Sequence, residues 1–127
     1  MLITGAGGKL GRLLRAARRA LPDLHHDYVF QSRGSGADVQ WSPGDSLAPL
    51  PRCTAVIALW GATSGDEAAL AQNSLLVAQS RDLAQALRAT RLMHLSSAAV
   101  YGPGQNMNED HATNPQNNYG KSKLEME

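Results

Sequence analysis

Met1-Leu2-Ile3-Thr4-Gly5-Ala6-Gly7-Gly8-Lys9-Leu10-Gly11 opens the chain, a short apolar strand running directly into a cluster of glycines. Lys9 to Ala20 follows with Leu10, Leu13, Leu14 and Ala17 at helical spacing, and Pro22 closes that helix. The glycines alone say little, because a loop can need them for turn geometry only. Their place between a strand and a helix says more. Glycine permits the tight turn and lets backbone amides approach a pyrophosphate with no Cβ in the way. The helix N-terminus then stabilises the negative charge.

Outward from that turn, short strands alternate with helices. Tyr28 to Phe30, Ala37 to Trp41, Thr54 to Leu59 and Leu92 to Leu95 read as strands. The fourth strand is a continuous apolar run of the kind a parallel sheet buries on both faces. Asp66 to Thr90 is rich in alanine and leucine and predicts a long helix; Tyr119 opens the last one after a polar loop from Gly102 to Asn118. This alternation implies right-handed crossovers and an α/β fold. The expected architecture is a Rossmann-type doubly wound parallel sheet in three αβα layers. The pattern, without repeat or linker, predicts one domain over residues 1–127.

Composition narrows the function classes. A hydrophobic content of 43% is ordinary for a globular protein, and a net charge of +1 gives no hint of a nucleic-acid surface. Lys9, Arg12, Arg15, Arg18 and Arg19 cluster early, and three or four of them read as the solvated side of one helix. The single Cys53 excludes an internal disulfide and reads as strand packing. No apolar stretch reaches the roughly 18 residues of a membrane helix. The expectation is a soluble cytoplasmic protein. His25, His26, His94 and His111 lack paired-ligand spacing, so no metal is expected.

Tyr119 and Lys123 stand four residues apart at a helix start, on one face about a turn apart. A phenol beside an ammonium group can serve as acid and base, since the cation favours phenolate and pulls tyrosine down from its usual pKa of about 10. Read alone, such a pair is as easily a surface contact. At the end of the second strand, about 20 residues past the glycines, an acidic residue would hold the ribose 2′-hydroxyl of NAD. Gln31-Ser32-Arg33 stand there instead. Arg33 offers a planar fork of donors to the 2′-phosphate of NADP, so NADP is the expected cofactor, with NAD as the alternative.

Four separated signatures, in order, resemble the extended short-chain dehydrogenase/reductase family, also called the NAD-dependent epimerase/dehydratase family. Thr4, Gly5, Gly8 and Gly11 have its glycine spacing; Asn73 lies in the long helix where the family places an asparagine. Leu95-Ser96-Ser97-Ala98-Ala99-Val100-Tyr101-Gly102 is similar to its fifth-strand motif, and Tyr119 to Lys123 to its YxxxK pair. The resemblance implies catalytic roles for Ser97, Tyr119 and Lys123: a hydrogen bond to the substrate oxygen, proton transfer, and activation of the tyrosine with contact to the nicotinamide ribose. It implies cofactor contacts at Thr4, Gly5, Gly8, Lys9, Leu10 and Gly11, at Asp45 near the adenine, at Leu59, Trp60 and Gly61, and at Asn73, Tyr119 and Lys123.

Departures from the family pattern sharpen the expectation. Ala98 and Ala99 replace the Asp-Glu pair of sugar dehydratases, which points to reduction, oxidation or epimerisation instead. Trp60 replaces a small residue beside the cofactor. The family carries more residues before Thr4, and later strands and a smaller substrate domain after Lys123. The resemblance therefore implies the N-terminal cofactor-binding part of a longer NAD(P)-dependent oxidoreductase or epimerase. Its substrate would be a small carbonyl compound or nucleotide sugar, and two copies would pair through the long helix and the YxxxK helix. Neither a nucleic acid nor a membrane is an expected partner. The alternative reading is a non-catalytic nucleotide-binding or sensing module, or a truncated inactive fragment. A methyltransferase with a similar sheet would have no use for the tyrosine–lysine pair.

Overall fold

The elements run β1 (Leu2–Thr4), α1 (Lys9–Ala20), β2 (Val29–Ser32), β3 (Val39–Gln40), β4 (Ala55–Ala58), α2 (Glu67–Ala86), β5 (Arg91–His94), a 3-10 turn (Ala98–Val100) and α3 (Asn118–Leu124). The structure, a computed structural model, describes residues 1–21 and 27–127. Pro22, His25 and His26, used above as helix stop and as unpaired histidines, lie outside the described residues. Two compact units emerge, Met1–Trp60 with Gln79–His94, and Gly61–Ala78 with Leu95–Glu127.

The first unit holds the whole sheet, all parallel, in the order β3-β2-β1-β4-β5. Alternation along the strands sends side chains to two faces. Leu2 and Val56 join Trp41, Leu50, Leu83, Ala84 and Leu87 in one core, to which α2 contributes its second half. Their strand neighbours Ile3, Phe30 and Ile57 join Ala6 on the other. There the Arg18 guanidinium of α1 lies 4.8 Å over the Phe30 ring. Helices on both faces of a parallel sheet make this a Rossmann-type α/β fold. Cys53 packs as a partly buried residue against the first core, in a structural role.

Three expectations shift. β2 extends past Phe30 to Ser32, because Gln31 and Ser32 pair with Val39 and Gln40 of β3. β3 shrinks to two residues, since Trp41 folds into the core after its amide pairs with Ser32 O at 3.0 Å. α2 stops at Ala86, well short of Thr90, because Arg88 adopts φ 56° and turns the chain out of the helix.

The apolar face of α1 is not the side that meets the sheet. Leu10, Leu13 and Leu14 are 50%, 64% and 39% exposed, and Gly11 is the buried residue of the helix. A Cβ on Gly11 would lie 2.4 Å from Ala6 Cα, so only glycine lets the helix backbone come this close to the turn. Of the early cations, Lys9, Arg12 and Arg19 are exposed, while Arg18 is engaged. Arg18 donates to Tyr28 O at 2.7 Å and to both Asp38 oxygens at 2.9 and 3.0 Å.

In the second unit, Asp66 Oδ1 accepts from Ala69 N at 2.8 Å ahead of α2, while Asn117 caps α3 by accepting from Gly120 N at 2.7 Å. A Cβ on Gly120 would lie 2.5 Å from Ala99 O, so glycine after Tyr119 is what seats α3 against the 3-10 turn. No helix among the described residues is long and apolar enough to cross a membrane.

Candidate functional site

The candidate residues fall into two groups, one in each unit. Thr4, Gly5, Gly8, Lys9, Leu10, Gly11, Arg33, Asp45, Leu59 and Trp60 lie in the first; Gly61, Asn73, Ser97, Tyr119 and Lys123 lie in the second.

In the first unit the strand order reverses direction between β1 and β4, the switch point at which open α/β sheets bind ligands beyond their strand C-termini. The glycine turn stands there. Gly5 adopts φ 74°, a left-handed conformation, and a Cβ on it would lie 2.7 Å from Trp60 N. Two turns thus close against each other, with Leu59 N donating to Thr4 O at 3.2 Å. Gly8 N-caps α1 without a side-chain cap, and no acidic residue occupies the first helical turn. Gly7, Gly8, Lys9 and Leu10 are exposed. An uncapped, exposed helix N-terminus with glycine approaching it has the chemistry to take a pyrophosphate. Thr4, fully buried at the turn's start, keeps an Oγ1 with no hydrogen-bond partner among the described residues. These residues fit a dinucleotide.

At the end of β2, Ser32 Oγ accepts from Gly34 N at 3.1 Å and lies 3.0 Å from where a Cβ on Gly7 would be. Arg33 is exposed beside it. Asp45 closes a turn by accepting from Ser42 N at 2.8 Å and lines a cleft of about 250 Å³ with Trp41, Leu47 and Asp82. The Trp60 indole turns into its own unit, donating to Ser80 Oγ at 2.8 Å and stacking on Trp41 with centroids 6.4 Å apart. The bulk that departs from the family pattern therefore serves packing.

In the second unit Asn73 is fully buried and its amide is engaged at both ends. It accepts from Ala62 N at 2.8 Å and donates to Ala62 O at 3.0 Å and to Ser122 Oγ at 3.1 Å. Ser122 in turn donates to Tyr119 O at 2.9 Å. Lys123 is 5% exposed and donates to Leu95 O at 3.1 Å. Burial lowers its pKa below the usual lysine value, since the low-dielectric surroundings disfavour the ammonium form. Its Nζ stands 5.8 Å from the Tyr119 ring centroid. Gly61 completes the group, as a Cβ there would lie 3.2 Å from Asn73 Oδ1 and 3.4 Å from Lys123 Nζ.

Ser97 N-caps the 3-10 turn, its Oγ accepting from Ala99 N at 3.2 Å. That bond uses a lone pair and leaves the hydroxyl proton to donate elsewhere. In the sequence Gln31 stands out only for what it is not, the acidic residue expected about 20 positions past the glycines, and no spacing marks Ser122 between the conspicuous Tyr119 and Lys123. No group of three or more His, Cys, Asp or Glu side chains that could hold a metal occurs among the described residues.

The profile of the NAD dependent epimerase/dehydratase family matches residues 1–127. The chain belongs to that family. No curated protein matches it by sequence. Among solved structures, a short-chain dehydrogenase/reductase superfamily protein from Agrobacterium tumefaciens with bound NAD is 26% identical with a TM-score of 0.75, over 98% of this chain and 42% of its own. RMD from Pseudomonas aeruginosa, complexed with NADPH, is 26% identical with a TM-score of 0.71, over 98% of this chain and 45% of its own. The UDP-N-acetylglucosamine 4-epimerase of Bacillus cereus, 20% identical with a TM-score of 0.77 over 98% and 47%, shares the fold. This epimerase/dehydratase chain thus spans less than half the length of these relatives.

Proposed function

We propose that residues 1–127 are the cofactor-binding domain of an NAD(P)-dependent oxidoreductase or epimerase acting on a small carbonyl compound or a nucleotide sugar. The observation that carries the catalytic reading is Lys123: a lysine taken out of water, one helical turn from Tyr119, with its ammonium 5.8 Å from the tyrosine ring. Burying a cation costs free energy that a surface pair would not incur, and such sites are where proton chemistry is tuned.

The glycine turn and the N-terminus of α1 hold the pyrophosphate. When bound, the nicotinamide takes or supplies the hydride. Tyr119 gives or takes the proton at the substrate oxygen, Lys123 stabilises its phenolate form, and Ser97 donates to the same oxygen. Asn73 acts through Ala62 and Ser122, with which its amide is engaged. Arg33, free of any carboxylate neighbour in Gln31 and Ser32, supports NADP over NAD; the neighbours carry both cofactors, NADPH in RMD and NAD in the Agrobacterium tumefaciens protein. The nucleotide-sugar class draws support from the epimerase named above. Pairing of two copies through α2 and α3 belongs to the same proposal, and Leu75, 51% exposed on α2, is a side chain such pairing would cover. So does a cytoplasmic setting.

The test is a titration with NADPH and NADH followed by the fluorescence of Trp41 and Trp60. Turnover over a carbonyl and nucleotide-sugar panel is then compared for the gene product containing this chain and its Tyr119→Phe variant. We expect tighter NADPH binding and a Tyr119→Phe loss on the order of 10²–10⁴ in kcat/KM. Binding without Tyr119-dependent turnover would leave a nucleotide-binding module; tighter NADH binding would reverse the cofactor preference.

A further inference from the structure

Gln31 lies inside β2 with 1% of its surface exposed, among the largest fully buried side chains of the described residues. Both ends of its amide are used. Oε1 accepts from Gly5 N at 3.3 Å, and Nε2 donates to Trp41 O. Its backbone carbonyl accepts from Ala6 N at 2.9 Å. One residue therefore takes the first two amides of the glycine turn and fixes the peptide that follows β3.

This has a chemical consequence. A glycine turn could aim its amides in several directions, and glycine offers little resistance to any of them. With the Gly5 and Ala6 amides drawn to Gln31 and the Gly8 amide donating to Gly5 O at 3.0 Å, the turn's remaining donors are those of Gly7 and of the uncapped start of α1. The same side chain ties this arrangement to Trp41, whose indole donates to Asp45 O at 3.4 Å and stacks on Trp60. An apolar residue of the same volume would fill the space yet leave the Gly5 amide and the Trp41 carbonyl without partners in a buried setting.

We propose that Gln31 is the positioning residue of the glycine turn: its amide selects which backbone donors meet the pyrophosphate and couples the turn to the Trp41 peptide. This rests on the dinucleotide reading given above. The role does not extend to the reacting atoms.

The experiment measures NADP⁺ affinity of the chain by calorimetry and tryptophan fluorescence for wild type, Gln31→Met and Gln31→Glu at pH 5 and pH 8, with circular dichroism as the check on folding. Gln31→Met is expected to weaken NADP⁺ binding at least about 10-fold while remaining folded, the scale of one lost buried hydrogen bond. Gln31→Glu is the sharper probe. Its carboxylate at pH 8 can accept from Gly5 N but has no proton for Trp41 O; burial at this position raises the carboxyl pKa above its usual value of about 4.3, so the acid form favoured at pH 5 offers both functions as the amide does. Relative to wild type at the same pH, binding by Gln31→Glu is expected to fall at pH 8 and recover at pH 5. A residue that only stabilises the fold would lower the melting temperature without this pH-dependent change in affinity.

Folded Gln31→Met that binds within twofold of wild type would overturn the proposal, and so would a pH-independent affinity ratio for Gln31→Glu. Should Gln31→Met not fold, Gln31→Glu decides alone. Wild type that binds neither NADP⁺ nor NAD⁺ would defeat the dinucleotide reading itself, and the positioning role with it.

Discussion

Lys123 places a positive charge where water is scarce, and its hydrogen-bond partner is a backbone carbonyl, Leu95 O at 3.1 Å, not a carboxylate. Desolvation lowers its pKa, so between that lowered value and the ordinary lysine value near about 10.4 the unfolded chain binds more protons than the folded one. Stability of wild type relative to Lys123→Met should therefore rise with pH across that window, in melts taken from pH 7 to pH 10. A flat difference would show that Lys123 is hydrated in the folded state. In turnover assays of the gene product the same variant should lose roughly 10²–10⁴ in kcat/KM, the range of a proton-transfer contribution. The tyrosine–lysine spacing was legible in the sequence. Ser122 and Asn73 were not legible as partners, because residues separated by 49 positions meet only when α2 and α3 are folded.

At the scale of elements, each boundary that moved did so for a local reason. α2 ends where Arg88 takes φ 56°, and Ala89 N closes the end by donating to Ala84 O at 2.9 Å. The left-handed region costs an L-residue roughly 1–2 kcal/mol and costs glycine little. Arg88→Gly should therefore stabilise the protein by about 0.5–1 kcal/mol, read as a higher denaturant midpoint with unchanged slope. A drop in the midpoint would mean that the arginine side chain contributes more than its backbone costs. α1 shows the limit of periodicity. Its leucine spacing correctly gave a helix, yet the face that meets the turn was decided by Gly11, where no Cβ fits.

For the molecule as a whole, the proposed ligand supplies a measure. A ligand held at 100 times its Kd adds about 2.7 kcal/mol to the folded state. For a chain of this size that is a rise of about 10 °C in Tm. Differential scanning calorimetry with NADPH at that concentration checks it, and an unchanged Tm would count against dinucleotide binding. The sequence by itself determined the order of strands and helices, the Rossmann-type class, the glycine turn and the one-turn spacing of Tyr119 and Lys123. These rest on spacing between near neighbours along the chain, which survives without tertiary contacts. Only the tertiary structure decided that Gln31 draws the Gly5 and Ala6 amides inward, that Trp60 packs on Trp41, and that Asn73 reaches Ser122. Each joins residues far apart in sequence, and burial is what demands a partner for every polar group there.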